Sequence, residues 1–280
     1  MPYLDGPIRS CERVGGGCIA QASCLRTKGS RYFLKWGDSP VGDTFQAEAF
    51  GLGLLRDSGS PLVVPQALAV EAPGVERPGF LLLEWVDAGS PPVSFWEDFG
   101  RGLAVLHRNA SGRYGADQDN FIGRLPQANR RMESWPAFFR ECRLEPQLSM
   151  ARERGVWRSG WDPLLERLYN RLDDLLPARP EASVLHGDLW SGNYMVTTSG
   201  RAALIDPAAY HGHREVDLAM TELFGGFRAG FYDAYREAWP LAPGYSERKE
   251  IYNLYHLINH LNHFGQSYAG SVSAILGRYG

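Results

Sequence analysis

The stretch from Ser183 to Asp206 constrains this chain more than any other. Ser183-Val184-Leu185 and Ala203-Leu204-Ile205 are short β-like apolar runs inside a half of the sequence whose patterning is otherwise helical. Between them lies a polar loop, His186-Gly187-Asp188-Leu189-Trp190-Ser191-Gly192-Asn193, which returns through Tyr194-Met195-Val196. This one segment carries two carboxylates and an amide that could converge: Asp188, Asn193 and Asp206.

Such a set suits transfer of the γ-phosphoryl group of ATP. That reaction asks for a base or positioning carboxylate near the acceptor hydroxyl, and for metal ligands that neutralise the phosphate oxygens. Mg2+ prefers hard oxygen ligands and keeps several waters, so Asn193 and Asp206 with the substrate phosphates suffice. No imidazole is needed, and His186 reads as a loop-fixing residue hydrogen-bonded to backbone.

The remainder divides in two. The first third is β-rich: Arg31-Tyr32-Phe33-Leu34-Lys35-Trp36 reads as a strand, Val63 to Val70 as another, and Phe80 to Val86 as a third after a hairpin punctuated by Pro73, Gly74, Pro78 and Gly79. Phe45, Ala49, Leu52 and Leu55 fall at helical spacing in Thr44 to Leu55, with Asp43 or Thr44 as the cap. Asp87-Ala88-Gly89-Ser90-Pro91-Pro92 is a breaker-rich connector. After it, helices are expected over Phe95 to Asn109, Trp135 to Met150, Trp161 to Leu176, Thr221 to Arg236 and Ser246 to Ala269. The expected organisation is α+β: a small β-rich N-terminal lobe, 1–86, and a larger, mainly helical lobe, 87–280.

The spacing of Asp188, Asn193 and Asp206 resembles the loops of the protein-kinase-like fold, and that resemblance implies further elements of a nucleotide site in the β-rich part, in order. Gly15-Gly16-Gly17 would let backbone approach phosphates closely. Lys35 would contact the α and β phosphates, and Glu48 on the following helix would hold Lys35. Backbone groups from Glu84 through Trp85 to Val86 would face the adenine edge. Cys18, beside the glycines, would be open to oxidation if exposed.

Composition excludes several classes. Across 280 residues the formal charge is −3 and the basic residues are dispersed, which argues against a nucleic-acid partner. The longest apolar run, Phe80-Leu81-Leu82-Leu83, is far short of the roughly 20 residues that span a bilayer, so no membrane segment is expected. Met1 to Cys11 lacks an apolar leader, and the four cysteines show neither metal-ligand spacing nor a disulfide framework. A reducing cytoplasm is the expected compartment.

The spacing of Asp188, Asn193 and Asp206 resembles the catalytic and metal-binding loops of the protein-kinase-like fold, in its aminoglycoside-phosphotransferase variety. The whole loop, His-Gly-Asp-Leu-Trp-Ser-Gly-Asn, resembles more narrowly that of the fructosamine kinases, or ketosamine-3-kinases. Also similar to that family are Gly15-Gly16-Gly17-Cys18-Ile19; Asp119-Asn120-Phe121-Ile122-Gly123 with Pro126-Gln127-x-Asn129; Trp135-x-x-Phe138-Phe139 with Arg143-Leu144; Ile205-Asp206-Pro207-Ala208; the segment from Gly212 to Phe227; and the close from Leu254 to Gly265. Trp85 and Tyr210-His211 depart from it, at positions where tyrosines are common.

The resemblance implies ATP, Mg2+ and a two-lobed fold with ATP in the cleft. It further implies phosphorylation of the C3 hydroxyl of a ketosamine, free or protein-bound, as the first step of deglycation. Asp188 would then be the base, Asn193 and Asp206 the metal ligands, and Lys35 with Glu48 the phosphate-binding pair. Trp190 would stack on a sugar face, and His260, on the histidine-rich helix Tyr252 to Phe264, would line the acceptor pocket. Asp217 reads as structural, accepting backbone N–H groups of the loop. A kinase of another hydroxylated small molecule, such as an aminoglycoside, and a nucleotide-binding module stay open, as do monomer and homodimer.

Overall fold

A computed structural model describes residues 3–15 and 20–280. The first lobe is an antiparallel sheet of five strands in the order β1-β2-β3-β5-β4: β1 Ser10–Arg13, β2 Gln21–Arg26, β3 Arg31–Gly37, β4 Ala67–Glu71 and β5 Gly79–Glu84. Alternation along β3 sends Tyr32 and Leu34 to a small outer cluster with Leu25 and Leu82, and Phe33 to the opposite face. Lys35 shares that inner face with Phe33, and across it lies α1, Phe45–Arg56.

Two details differ from the sequence expectation. The Thr44 side chain does not cap α1; its hydroxyl donates to Val41 O at 2.8 Å, and a 3-10 turn over Gly42–Thr44 leads into the helix instead. Val63 does not belong to β4. It bridges in parallel to Ala203, its N–H donating to Ala202 O at 2.9 Å, and so ties the lobes together.

The second lobe contains α2 Phe95–Arg108, β6 Ala110–Ser111, the hairpin of β7 Asn120–Ile122 and β8 Leu125–Gln127, α3 Trp135–Phe138, α4 Glu145–Glu153, α5 Asp162–Tyr169 and α6 Leu172–Leu175. It continues with β9 Ala182–Leu185, β10 Tyr194–Val196, β11 Ala202–Leu204, β12 Tyr210–Gly212, α7 Glu215–Leu223, α8 Ala229–Ala238, α9 Tyr245–Phe264 and α10 Ala269–Tyr279. The expected long helices are interrupted. A π-helical turn, Phe139–Leu144, separates α3 from α4. Gly225 and Gly226, at φ 71° and 91°, divide α7 from α8, and Gly265 ends α9. Among the described residues no helix is long and apolar enough to cross a membrane.

Two large clusters fill the interior. One joins α1 and the sheet (Phe45, Leu52, Leu81) to α2 and α8 (Phe99, Leu103, Phe231) and to Leu189 of the polar loop. The other packs α3 to α6 around α9, and Phe50 of α1 reaches into it. Gly51 lies against Pro207 and Ala209: a Cβ there would stand 3.3 Å from the Pro207 ring. The α1 helix is thus fastened to the second lobe along its own length.

Candidate active site

The catalytic-type loop begins where fully buried β9, paired with β6 and β12, runs out at Leu185. His186 is buried and neutral in its bonding pattern. Its Nε2–H donates to Ile205 O at 2.9 Å, and its Nδ1 accepts the Asp188 N–H at 3.3 Å. Burial pushes this imidazole below its usual value. The expected loop-fixing bond to backbone is therefore present, and it joins the loop to the segment that carries Asp206.

Beneath the loop lies Asp217 of α7. Its Oδ2 accepts the His186 N–H at 2.7 Å and its Oδ1 the Gly187 N–H at 2.9 Å. It also accepts the Nε2–H of His107 at 3.2 Å, whose Nδ1 in turn accepts the Tyr235 hydroxyl at 2.8 Å. Burial works to raise the Asp217 carboxyl, but these hydrogen bonds hold it below its ordinary value. His107 and Tyr235, on α2 and α8, are residues that sequence reasoning missed; they lie 110 and more positions from their partners, and no local pattern marks them.

Leu189, fully buried, pins the loop between Asp188, which is partly buried, and Trp190, which faces outward. Asn193 Nδ2 donates to Asp188 O at 2.8 Å and to Asp188 Oδ2 at 3.1 Å. Burial pushes the Asp188 carboxyl up to about 7; the Asn193 amide opposes the rise, and the Asp206 and Asp217 carboxylates add to it. Trp190 is 38% exposed, its ring lying over Gly192.

Asp206 follows β11 and stands at φ 54°, the one non-glycine residue with positive φ among those described. Lys35 Nζ donates to its Oδ1 at 2.5 Å and to Glu48 Oε1 at 2.7 Å. Burial would lower the Lys35 ammonium, but the two carboxylates overcome it and hold it above its usual value. Burial likewise lifts the Glu48 carboxyl, against the pull of Lys35. The structure therefore brings Lys35, Glu48, Asp188, Asn193 and Asp206 together from both lobes.

The remaining expected residues lie around this centre. Gly15 is exposed after β1, whereas Gly16, Gly17 and Cys18 lie outside the described residues. Glu84 ends β5 with its side chain in solvent. Trp85 is half-buried, donating to Asp87 Oδ1 at 3.0 Å, with Val86 beside it. His260 on α9 donates its Nδ1–H to His256 O at 2.8 Å and packs on Phe224, centroids 4.7 Å apart. Phe224 leads into the turn in which Gly226 lies against Ser191 of the loop.

The donor set suits a divalent cation that prefers oxygen. Both hydrogen bonds from Asn193 use its nitrogen, leaving its amide oxygen available, and the Asp206 side chain is 46% exposed. No group of three or more His, Cys, Asp or Glu among the described residues could enclose a metal.

The model of the family described as fructosamine kinase matches residues 5–279 of this chain. A protein of Synechocystis sp. named probable ketoamine kinase is 41% identical over 274 residues, covering 96% of this chain and 90% of its own length. A chloroplastic protein-ribulosamine 3-kinase of Oryza sativa subsp. japonica is 34% identical over 280 residues, 97% of this chain and 79% of its own. The crystal structure of a Thermobifida fusca protein assigned as a fructosamine-3-kinase aligns with a TM-score of 0.87 at 33% identity, over 96% of this chain and 93% of that one. In fold alone, an aminoglycoside phosphotransferase solved with ADP and hygromycin B matches with a TM-score of 0.64 at 16% identity, over 98% of this chain and 95% of that one. Similarity of that depth from one end of the fold to the other settles its kinship: the chain belongs to the fructosamine kinase family, ATP-dependent phosphotransferases with the protein-kinase-like architecture.

Proposed function

We propose that this enzyme phosphorylates the C3 hydroxyl of a ketosamine and so starts the release of the sugar from an amine. The observation that carries the reading is the pairing, in one pinned loop, of a buried carboxylate held by Asn193 with an outward, half-exposed tryptophan beside it. An indole face suits a sugar ring or chain. The names of the relatives, ketoamine kinase and protein-ribulosamine 3-kinase, supply the acceptor class.

In this reading residues 1–86 form the nucleotide-binding lobe and residues 87–280 the catalytic and acceptor-binding lobe. Lys35, oriented by Glu48, would bind phosphate oxygens, with Gly15 to Gly17 over them and Glu84 to Val86 beside the adenine. Asn193 and Asp206 would hold Mg2+, which when bound neutralises charge on the transferred group. Asp188 takes the proton from the attacking C3 hydroxyl. Trp190 and His260 line the acceptor side.

The product is chemically unstable. Its 1,2-enaminol form places the C3 phosphate in an allylic position, where it leaves as inorganic phosphate; water then frees the amine and a deoxy-dicarbonyl sugar. The test is ATP consumption with ribulosamine, erythrulosamine and fructosamine acceptors compared as kcat/KM, since pocket fit sets that ratio. Turnover on none of them would refute the proposal. Undiminished turnover by Asp188→Asn would remove Asp188 from its role.

A further inference from the structure

The phosphoryl transfer itself gives no task to the β7–β8 hairpin, yet its polar side chains are buried and bonded to one another. Asn120, Gln127 and Asn129 are 4%, 2% and 1% exposed, and Arg143, aimed at them by the π-helical turn, is fully buried. Arg143 has no carboxylate within ion-pair distance among the described residues. Its guanidinium donates to Ala128 O at 2.6 Å, Cys142 O at 2.8 Å and Asn129 Oδ1 at 2.9 Å, and lies 3.7 Å from the Tyr210 ring centroid.

From there one branch of the bonds runs toward the Asp206 segment, while Asn129 Nδ2 also donates to Gln118 O at 3.2 Å. Asn129 Nδ2 and Gln127 Nε2 both donate to Asn120 Oδ1, at 2.9 Å and 2.7 Å. Asn120 Nδ2 donates to Ala209 O at 2.9 Å, Gln127 Nε2 to Ala208 O at 3.1 Å, and Gln127 Oε1 accepts the Tyr255 hydroxyl. The chain of donors therefore ends on two carbonyls just past Asp206. On the other side Ala208 N–H donates to His186 O at 2.9 Å, and His186 holds Ile205 O. The backbone on both sides of Asp206, itself at φ 54°, is thus held by hydrogen bonds.

A buried polar network of this size is an expensive way merely to fill a core, because each member must stay satisfied. We propose that Asn120, Gln127, Asn129 and Arg143 are positioning residues that set the Asp206 carboxylate for a divalent cation. The proposal rests on the reading of Asp206 as a metal ligand.

The test is Gln127→Met, which removes both Nε2–H donors, and Gln127→Glu, which removes them but keeps the acceptor for Tyr255. Mn2+ binding in the presence of ADP is followed by electron paramagnetic resonance. ADP binding is followed by calorimetry in Mg2+ and again in EDTA. Supporting the metal through a partner one step removed predicts roughly tenfold weaker Mn2+ binding, with ADP affinity in EDTA unchanged. Wild-type Mn2+ binding in a folded variant, an equal loss of ADP affinity in EDTA, or failure of both variants to fold would each overturn the proposal. Asp206→Asn separates the two readings: if it binds Mn2+ like the wild type, the assignment of the ligand itself fails, and if it alone loses the ion, only the positioning role fails.

Discussion

Gly187 turns directly against the carbonyl of Ala208: at its φ of 82°, a Cβ would stand 2.1 Å from that oxygen. The base loop and the Asp206 segment therefore touch backbone to backbone. Gly187→Ala should destabilise the fold by about 3 kcal/mol, combining left-handed strain with overpacking. It should also lower kcat by ~100-fold, because displacement near an ångström has that effect on a reacting geometry. Urea unfolding and steady-state rates check both; a variant with wild-type stability would show that the two segments can part without consequence.

The Asp188 carboxyl, raised by burial to about 7, is competent as a base only when ionised. Activity is then present above that value and lost below it, and kcat/KM for the ketosamine should fall by about tenfold per unit once pH drops beneath it. Melting curves at each pH distinguish this from unfolding. A flat profile between pH 8 and pH 5.5 would contradict the assignment.

Stability should have its own acid limit. Burial pushes His107, His186, His213 and His256 below the ordinary 6.5, His256 to about 3. The unfolded chain takes up these protons near 6.5 while the folded chain refuses them. Their contribution is therefore complete above pH 6.5 and is lost as pH falls, at up to about 1.4 kcal/mol per unit for each group. Urea midpoints should decline steadily from pH 6.5 to 5. His256→Leu should show a shallower decline, and constant midpoints across that range would refute the account.

Much of this arrangement is legible in the sequence and some is not, for physical reasons. The strand around Lys35, the α1 helix and the loop from His186 to Asn193 are local patterns of period or polarity, so the chain displays them. β6, β7, β8 and β12, of two or three residues, are too short to alternate and, unlike the equally short β10 and β11, do not flank the polar loop that marks those. The π-helical turn follows from seating Arg143 in the interior, which depends on Asn129 and Tyr210. The expected helix Thr221 to Arg236 runs through the glycines at 225 and 226, where the structure breaks it, and the start of α7 at Glu215, which pairs with Arg248 at 2.7 Å, lies ahead of the expected one.

Trp190 supplies a test on the acceptor side. Trp190→Ala should raise KM for the ketosamine by roughly tenfold, the effect of about 1.4 kcal/mol of aromatic contact, and leave KM for ATP unchanged. Trp190→Phe should recover most of the loss. A rise in KM for ATP alone would move the indole to the nucleotide side.

The seating of α1 has a further consequence. Phe50 packs against the core of the second lobe and Gly51 lies close to Pro207 and Ala209, so any swing of the helix bearing Glu48 would have to break these contacts. Moving Glu48 away from Lys35 would therefore mean opening a packed interface between the lobes as well as breaking one ion pair.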